Sequence, residues 1–166
     1  GSTYMYQGEE LGLPEVLEIP DDARQDPTFY RSPGVDVGRD GCRVPLPWMA
    51  QAPSFGFGPD GSSVSHLPQP GWFEEFAVDR QDGTEDSTLE LYRRALALRH
   101  RLQGPEEIQW LDSPAGVLAF ERPGGWVCVS NFAAAPVELP EGELLLASAP
   151  LEDGKLPAAT TAWLRR

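Results

Sequence analysis

Apolar positions follow two different periods along this chain, and a long stretch near its start follows neither. In STLELYRRALALRHRLQ, residues 87–103, the apolar positions recur every three to four residues. Leu91, Ala95, Leu98 and Leu102 share one helical face, widened by Tyr92 and Leu96. Ser87 with Glu90 three residues on reads as a capping box. Arg93, Arg94, Arg99, His100 and Arg101 lie mostly off the apolar face, those in the last turn complement the helix dipole, and Gly104-Pro105 stops the helix. His100 is therefore read as a surface residue rather than a catalyst. From residue 106 the period shortens to two. IQWLD, GVLAFER, GWVCVSNF, PVELP, ELLLAS and TAWLR are short runs of β-formers parted by Gly, Pro and Asp turns, the pattern of an antiparallel sandwich. Gly124-Gly125 marks a tight hairpin between two of them.

At the other end, Tyr4, Met5 and Tyr6 form a short apolar run that leads into Gln7-Gly8-Glu9-Glu10. A strand entering polar groups in this way has two readings. It places ligand-handling residues at the strand's C-terminal end, as in parallel α/β folds, or it is an edge strand with a solvated acidic turn. Residues 14–86 are rich in Pro, Gly and Ser and show little periodicity, yet they hold Phe29, Tyr30, Trp48, Phe55, Phe57, Trp72, Phe73 and Phe76. Flexible linkers do not carry so many large rings, so an ordered, functional loop is expected.

Composition narrows the function classes. A length of 166 residues fits one domain or two small ones, and 40% hydrophobic content with 5 Trp, 4 Tyr and 7 Phe supplies a core. Thirteen basic against 26 acidic side chains give a formal net charge of −13. That field repels a phosphate backbone and an anionic membrane surface, so neither nucleic acid nor membrane is expected as a partner. Cys42 and Cys128 lie far apart, as do His66 and His100, and none has metal-ligand spacing. No metal or cofactor is expected, and Cys128, inside an apolar run, reads as a small core residue. No run approaches the roughly 18 apolar residues of a membrane span, no signal peptide is read, and a cytoplasmic location is expected. The opening GSTYMYQGEE, with a strand already under way, reads as a fragment.

Familiar hydrolytic signatures (GxSxG, HExxH) and the P-loop are absent from the sequence. A retaining glycosidase needs two carboxyls about 5–5.5 Å apart. Glu9 and Glu10 are adjacent, and on a strand they would face opposite ways. The stretch that invites chemistry is VGRDGCRVPLPW, residues 37–48, where Arg39 and Arg43 flank Asp40 in a loop stiffened by Pro45 and Pro47. An arginine fork suits a carboxylate or a pair of sugar hydroxyls, and Trp48 offers an apolar platform for a sugar ring. Equally, both arginines fit a structural part, pinning the loop through Asp40 or neighbouring acids.

Five motifs in order carry a resemblance: YQGEELGLP (6–14), GRDGCRVPLPW (38–48), FGFGPDG (55–61), LPQP (67–70) and DSTLELYRRALALRHRL (86–102). Together they resemble the C-terminal third of an α-glucosidase of glycoside hydrolase family 13, in its oligo-1,6-glucosidase branch. GVLAFER and VCVSNF resemble that family's C-terminal sandwich. The resemblance implies an α/β plus all-β fold. Residues 1–103 would be the end of a (β/α)8 barrel, with YMYQ its eighth strand, 14–86 the following loop and 87–103 the eighth helix. Residues 104–166 would be an antiparallel β-sandwich. The family cleaves α-glucosidic bonds with retention through an Asp nucleophile, a Glu acid/base and an Asp stabiliser, all of which precede the YQGEE segment and so are missing here. By the same resemblance Arg39 holds a terminal glucose, Arg43 braces the loop, and Glu9 and Glu10 have a supporting part. Trp48 is retained where RTPMQW reads RVPLPW, while the Gln is lost. The stretch between YQGEE and RDG is short, which implies a smaller wall around the substrate entrance. The implied partners are a small α-glucoside and the rest of the barrel. A trehalose synthase or sucrose isomerase relative, or a non-catalytic carbohydrate-binding module, is the alternative. One barrel strand and one helix leave edges uncovered, so the chain alone is expected to be inactive.

Overall fold

The computed structural model describes residues 2–59 and 64–166. The end of the FGFGPDG run, Asp60 and Gly61, lies outside the described residues. The chain divides into two compact units, residues 2–90 and 91–166. The division runs through the long helix, most of which groups with the β-rich part.

The first unit is ordered without a single strand among its described residues. Its elements are 3-10 turns at Glu9–Leu11, Asp21–Ala23, Asp40–Cys42 and Pro53–Gly56, and short helices α1 (Pro27–Arg31), α2 (Phe73–Phe76) and α3 (Val78–Gln81). Val16, Ile19, Val44, Leu67 and Phe73 form a buried cluster, with Leu13, Ala23, Phe55 and Trp72 packed against it. Phe73 sits edge-on to Trp72, with ring centroids 4.8 Å apart. Burying each such large side chain is worth about 1.5–3 kcal/mol, which explains how an aperiodic stretch gains order. Gln81, also buried, satisfies all of its amide: Nε2 donates to Leu11 O (2.9 Å) and Phe76 O (3.1 Å), and Oε1 accepts from Leu89 N (3.0 Å).

Tyr4–Gln7, expected as a barrel strand, form no ladder, and Tyr4 is 90% exposed. A barrel strand is made by its two flanking strands, and the first unit has none to offer.

Helix α4 (Thr88–Arg101) begins inside the first unit and continues into the second. Ser87 Oγ accepts from Glu90 N at 3.2 Å, the forward half of the capping box. The return half is redirected. Glu90 accepts from Gly83 N (3.0 Å), and Ser87 N donates to Thr84 O (3.0 Å). Leu98 is buried and Leu91, Ala95 and Leu102 are partly buried, matching the expected apolar face.

In the second unit five strands form one antiparallel sheet: β1 (Gln109–Trp110), β2 (Val117–Arg122), β3 (Trp126–Asn131), β4 (Glu143–Ala147) and β5 (Thr160–Arg165), in the order β1-β2-β3-β5-β4. Gly124 and Gly125 turn the β2–β3 hairpin with φ of 98° and 72°, values that favour glycine. In register, Ala119 opposes Val129 and Val129 opposes Ala162, so all three face the core with Val127, Leu156 and Leu164. Among the described residues no second ladder of equal size covers that face. Leu151, Val137 and Leu139 do so, on segments joined by a Val137–Leu156 bridge. The buried Asn131 locks those segments, donating Nδ2 to Ala135 O, Leu156 O and Pro157 O at 2.9–3.0 Å. On the other face, burial pushes the Cys128 thiol up to about 11, as suits an inert core residue. Among the described residues no helix is long and apolar enough to cross a membrane.

Candidate functional site

Two carboxylates organise the RDGCR loop, and neither meets a substrate-like group. Asp26 caps α1: its Oδ1 accepts from Thr28 N at 2.9 Å, with Pro27 at the first helical position. Its Oδ2 accepts from Arg39 N (2.9 Å) and lies 3.2 Å from Arg43 Nη1. These donors, the Thr28 and Arg39 N–H groups first and the Arg43 charge last, hold the Asp26 carboxyl down at about 2. Asp40 answers in the opposite direction. Fully buried, its Oδ2 accepts from Gln25 N (2.8 Å) and Asp26 N (2.9 Å). Each segment thus supplies a carboxylate to the other's backbone, and residues 25–28 and 39–43 are held as one body.

Gly41 is required by close approach rather than by a turn. A Cβ there would fall 2.3 Å from Val16 O, on the chain whose N–H donates to Gly41 O at 3.2 Å. Beside this, Arg24 lays its guanidinium 5.0 Å from the Phe29 ring centroid and donates to Val37 O and Leu17 O, both at 3.3 Å.

The sequence-predicted residues fall into this frame as follows. Arg39 has its backbone N–H fixed by Asp26, while its side chain is exposed and has no hydrogen bond or ion pair among the described residues. Arg43 pairs with Asp26, not with Asp40, whose Oδ2 takes the two backbone N–H groups. Glu9 and Glu10 lie on a 3-10 turn, so the strand geometry expected for them does not arise; Glu10 accepts from Gly8 N at 2.9 Å and Glu9 is exposed. Their turn lies beside the arginine loop, since Gln7 Nε2 donates to Cys42 O at 3.4 Å and Cys42 Sγ lies 3.9 Å from Tyr6 Oη.

Trp48 is half exposed on a fully engaged backbone. Val78 N donates to Pro47 O and Asp79 N to Trp48 O, both at 3.1 Å, while Asp79 takes Ala50 N at 3.0 and 3.1 Å. From the other side, Phe55 O accepts from both Trp48 N (2.8 Å) and Met49 N (2.9 Å). Phe55 reaches that position through a left-handed backbone, φ 48° and ψ 35°, next to Ser54 at φ 49° and ψ 33°. For residues with a Cβ this conformation costs roughly 1–2 kcal/mol each.

Asp26 was missed in the sequence reading, although Asp-Pro-Thr is a legible helix start. As assembled, the loop fixes the backbone of Arg39 and of Trp48 and leaves both side chains exposed. Among the described residues no group of three or more His, Cys, Asp or Glu side chains is placed to hold a metal. Of the nearby carboxylates, Asp26, Asp40 and Glu10 accept from backbone N–H groups and Glu9 is exposed.

Comparison with known proteins extends this picture. Residues 1–104 match the model of the alpha amylase catalytic domain. A probable alpha-glucosidase of Rhizobium meliloti (strain 1021) is 35% identical, over 84% of this chain and 26% of that protein. The alpha-glucosyl transfer enzyme XgtA is 33% identical with a TM-score of 0.74, over 97% of this chain and 32% of that one. The trehalulose synthase MutB shares the fold, with a TM-score of 0.76 at 20% identity, over the whole of this chain and 36% of that one. The chain therefore spans about a quarter of the length of the curated relative and about a third of the solved structures. Its architecture is that of the last part of a (β/α)8 enzyme with its antiparallel β domain. By the match over residues 1–104, the chain belongs to the alpha-amylase family, glycoside hydrolase family 13.

Proposed function

We propose that this chain is the C-terminal part of a retaining α-glucosidase that releases terminal α-linked glucose from short oligosaccharides. In this reading Arg39 contacts the terminal glucose, Arg43 braces the loop that presents it, and Glu9, Glu10 and Trp48 support the pocket. Residues 1–103 complete the barrel and 104–166 form the C-terminal domain. The catalytic carboxylates belong to the rest of the barrel, which is the chain's obligate partner, and the chain alone is inactive. A cytoplasmic location is part of the proposal and is checked by cell fractionation.

The observation that carries the reading is the contrast between two arginines four residues apart. Arg43 is held by Asp26, whereas Arg39 has a fixed backbone and an uncommitted, exposed guanidinium. An uncommitted donor fork on a fixed backbone is free to meet vicinal hydroxyls or a carboxylate, with only side-chain freedom left to lose. The chain's net charge of −13 suits a neutral sugar better than an anion.

The test is turnover of maltose, isomaltose and sucrose by the full-length gene product, alongside the 166-residue chain by itself. Glucose release by the full-length protein and none by the chain alone is expected. No turnover of any α-glucoside, or turnover by the chain alone, overturns the reading. One second reading has a specific observation behind it: XgtA, 33% identical, is an alpha-glucosyl transfer enzyme. Glucosyl products longer than the substrate, or isomerised sucrose, in place of free glucose would favour it.

A further inference from the structure

Among the described residues of the first unit, the one segment held in a conformation its residues avoid is Ser54–Phe55, and it acts on the backbone under Trp48 and Met49. Both residues lie in the left-handed region without being glycine. What holds them there is visible. The Phe55 ring packs beside Phe73, centroids 6.1 Å apart, at the edge of the buried cluster. Phe55 N donates to Ala52 O at 3.0 Å and Phe57 N to Ser54 O at 3.0 Å. The outcome is a single carbonyl, Phe55 O, aimed at the two successive N–H groups of Trp48 and Met49. On the far side Asp79 N and Ala52 N occupy the carbonyls of Trp48 and Met49. Four backbone groups are thus fixed beneath two large apolar side chains that stay 50% and 54% exposed. Gly56 completes the fit, since a Cβ there would meet Met49 Cγ at 3.0 Å.

We infer that Phe55 is a positioning residue: its strained turn fixes Trp48 and Met49 as a rigid apolar shelf for the C–H face of a substrate sugar ring. This inference rests on the α-glucosidase reading above for the identity of the ligand, but not for the mechanics of the turn. Phe55 acts through Trp48, so its substitution changes substrate affinity by loosening the shelf and not by removing a contact of its own.

The experiment uses the full-length protein with Phe55→Gly, Trp48→Ala and the double variant, assayed on maltose, with amide hydrogen exchange followed at Trp48 and Met49. Expected are a roughly tenfold rise in KM for each single variant with kcat within about twofold, and no further rise in the double variant. Exchange at the two amides should quicken in Phe55→Gly. Should Phe55→Gly fail to fold, Phe55→Asn carries the same test, because asparagine tolerates the left-handed backbone while losing the ring. Phe55→Leu, which keeps an apolar anchor, should restore KM. An unchanged KM in Phe55→Gly, or effects that multiply in the double variant, overturns the inference. If the protein turns over no α-glucoside, the α-glucosidase reading fails and the exchange data decide the mechanics. Faster exchange then supports the positioning part, and unchanged exchange removes it.

Discussion

The two units of this chain reach order by opposite means. Residues 91–166 have 8 basic and 9 acidic side chains, a net of −1, and are built on a five-stranded ladder over an apolar core. Residues 2–90 have 5 basic and 17 acidic side chains, a net of −12, and have no ladder among the described residues. There carboxylates and amides take the part of a sheet: Asp26, Asp40, Asp79 and Gln81 collect backbone N–H groups from segments distant in sequence. An irregular loop can be as definite as a sheet if its backbone groups find side-chain partners. Such a loop is also free to expose a cation and two large apolar side chains, because its order does not depend on burying them.

The comparison breaks most clearly at Gly41. In Gly41→Ala the new Cβ falls 2.3 Å from a backbone oxygen, so the backbone must shift, and a loss of about 3 kcal/mol is expected. Hydrogen exchange should quicken across residues 16–43 and stay slow in β3 and β5; uniform quickening in both units would show that they are not separately ordered. The converse is Leu164→Ala, which opens a cavity under the ladder. A loss of about 2–4 kcal/mol is expected in the second unit, with the amides of Asp26 and Arg39 still protected. A smaller effect, confined to the first unit, comes from acid. Asp26 titrates near 2 when folded, below its ordinary value of 3.8, so its contribution is present above pH 4 and is lost as pH falls from about 4 toward 2. The Arg39 amide should lose protection in that window, while Asp26→Asn should be weakened already at pH 7 and show no such acid step.

The same contrast explains how far the sequence could be read. Periodicity found α4 and the runs that became β1 to β5, because those elements draw their bonds from regular neighbours. Cys128 and Gly124-Gly125 followed from the same pattern. The weld between Asp26 and the arginine loop has no period, joining residues 13–17 apart through a carboxylate and backbone N–H groups. The YMYQ strand failed for another reason: its ladder partners are not among these residues. Family-like motifs pointed to Arg39 and Arg43 as different in kind, but physical chemistry alone left them equivalent until the place of Asp26 was known. The left-handed turn at Ser54–Phe55 carried no sequence signal, since neither residue favours it.

The most direct test of the account is a paired measurement on the full-length protein, Arg39→Ala against Arg43→Ala, reading kcat/KM on a short α-glucoside and amide exchange in residues 24–43. If Arg39 is the uncommitted binding group, Arg39→Ala lowers kcat/KM by about 30- to 1,000-fold, the equivalent of about 2–4 kcal/mol for a charge-assisted contact in a closed site. Exchange in the loop is then unchanged. Arg43→Ala instead quickens exchange around Asp26 and lowers kcat/KM less. An Arg39→Ala enzyme with ordinary kcat/KM, or one whose loop loosens as much as that of Arg43→Ala, would contradict it.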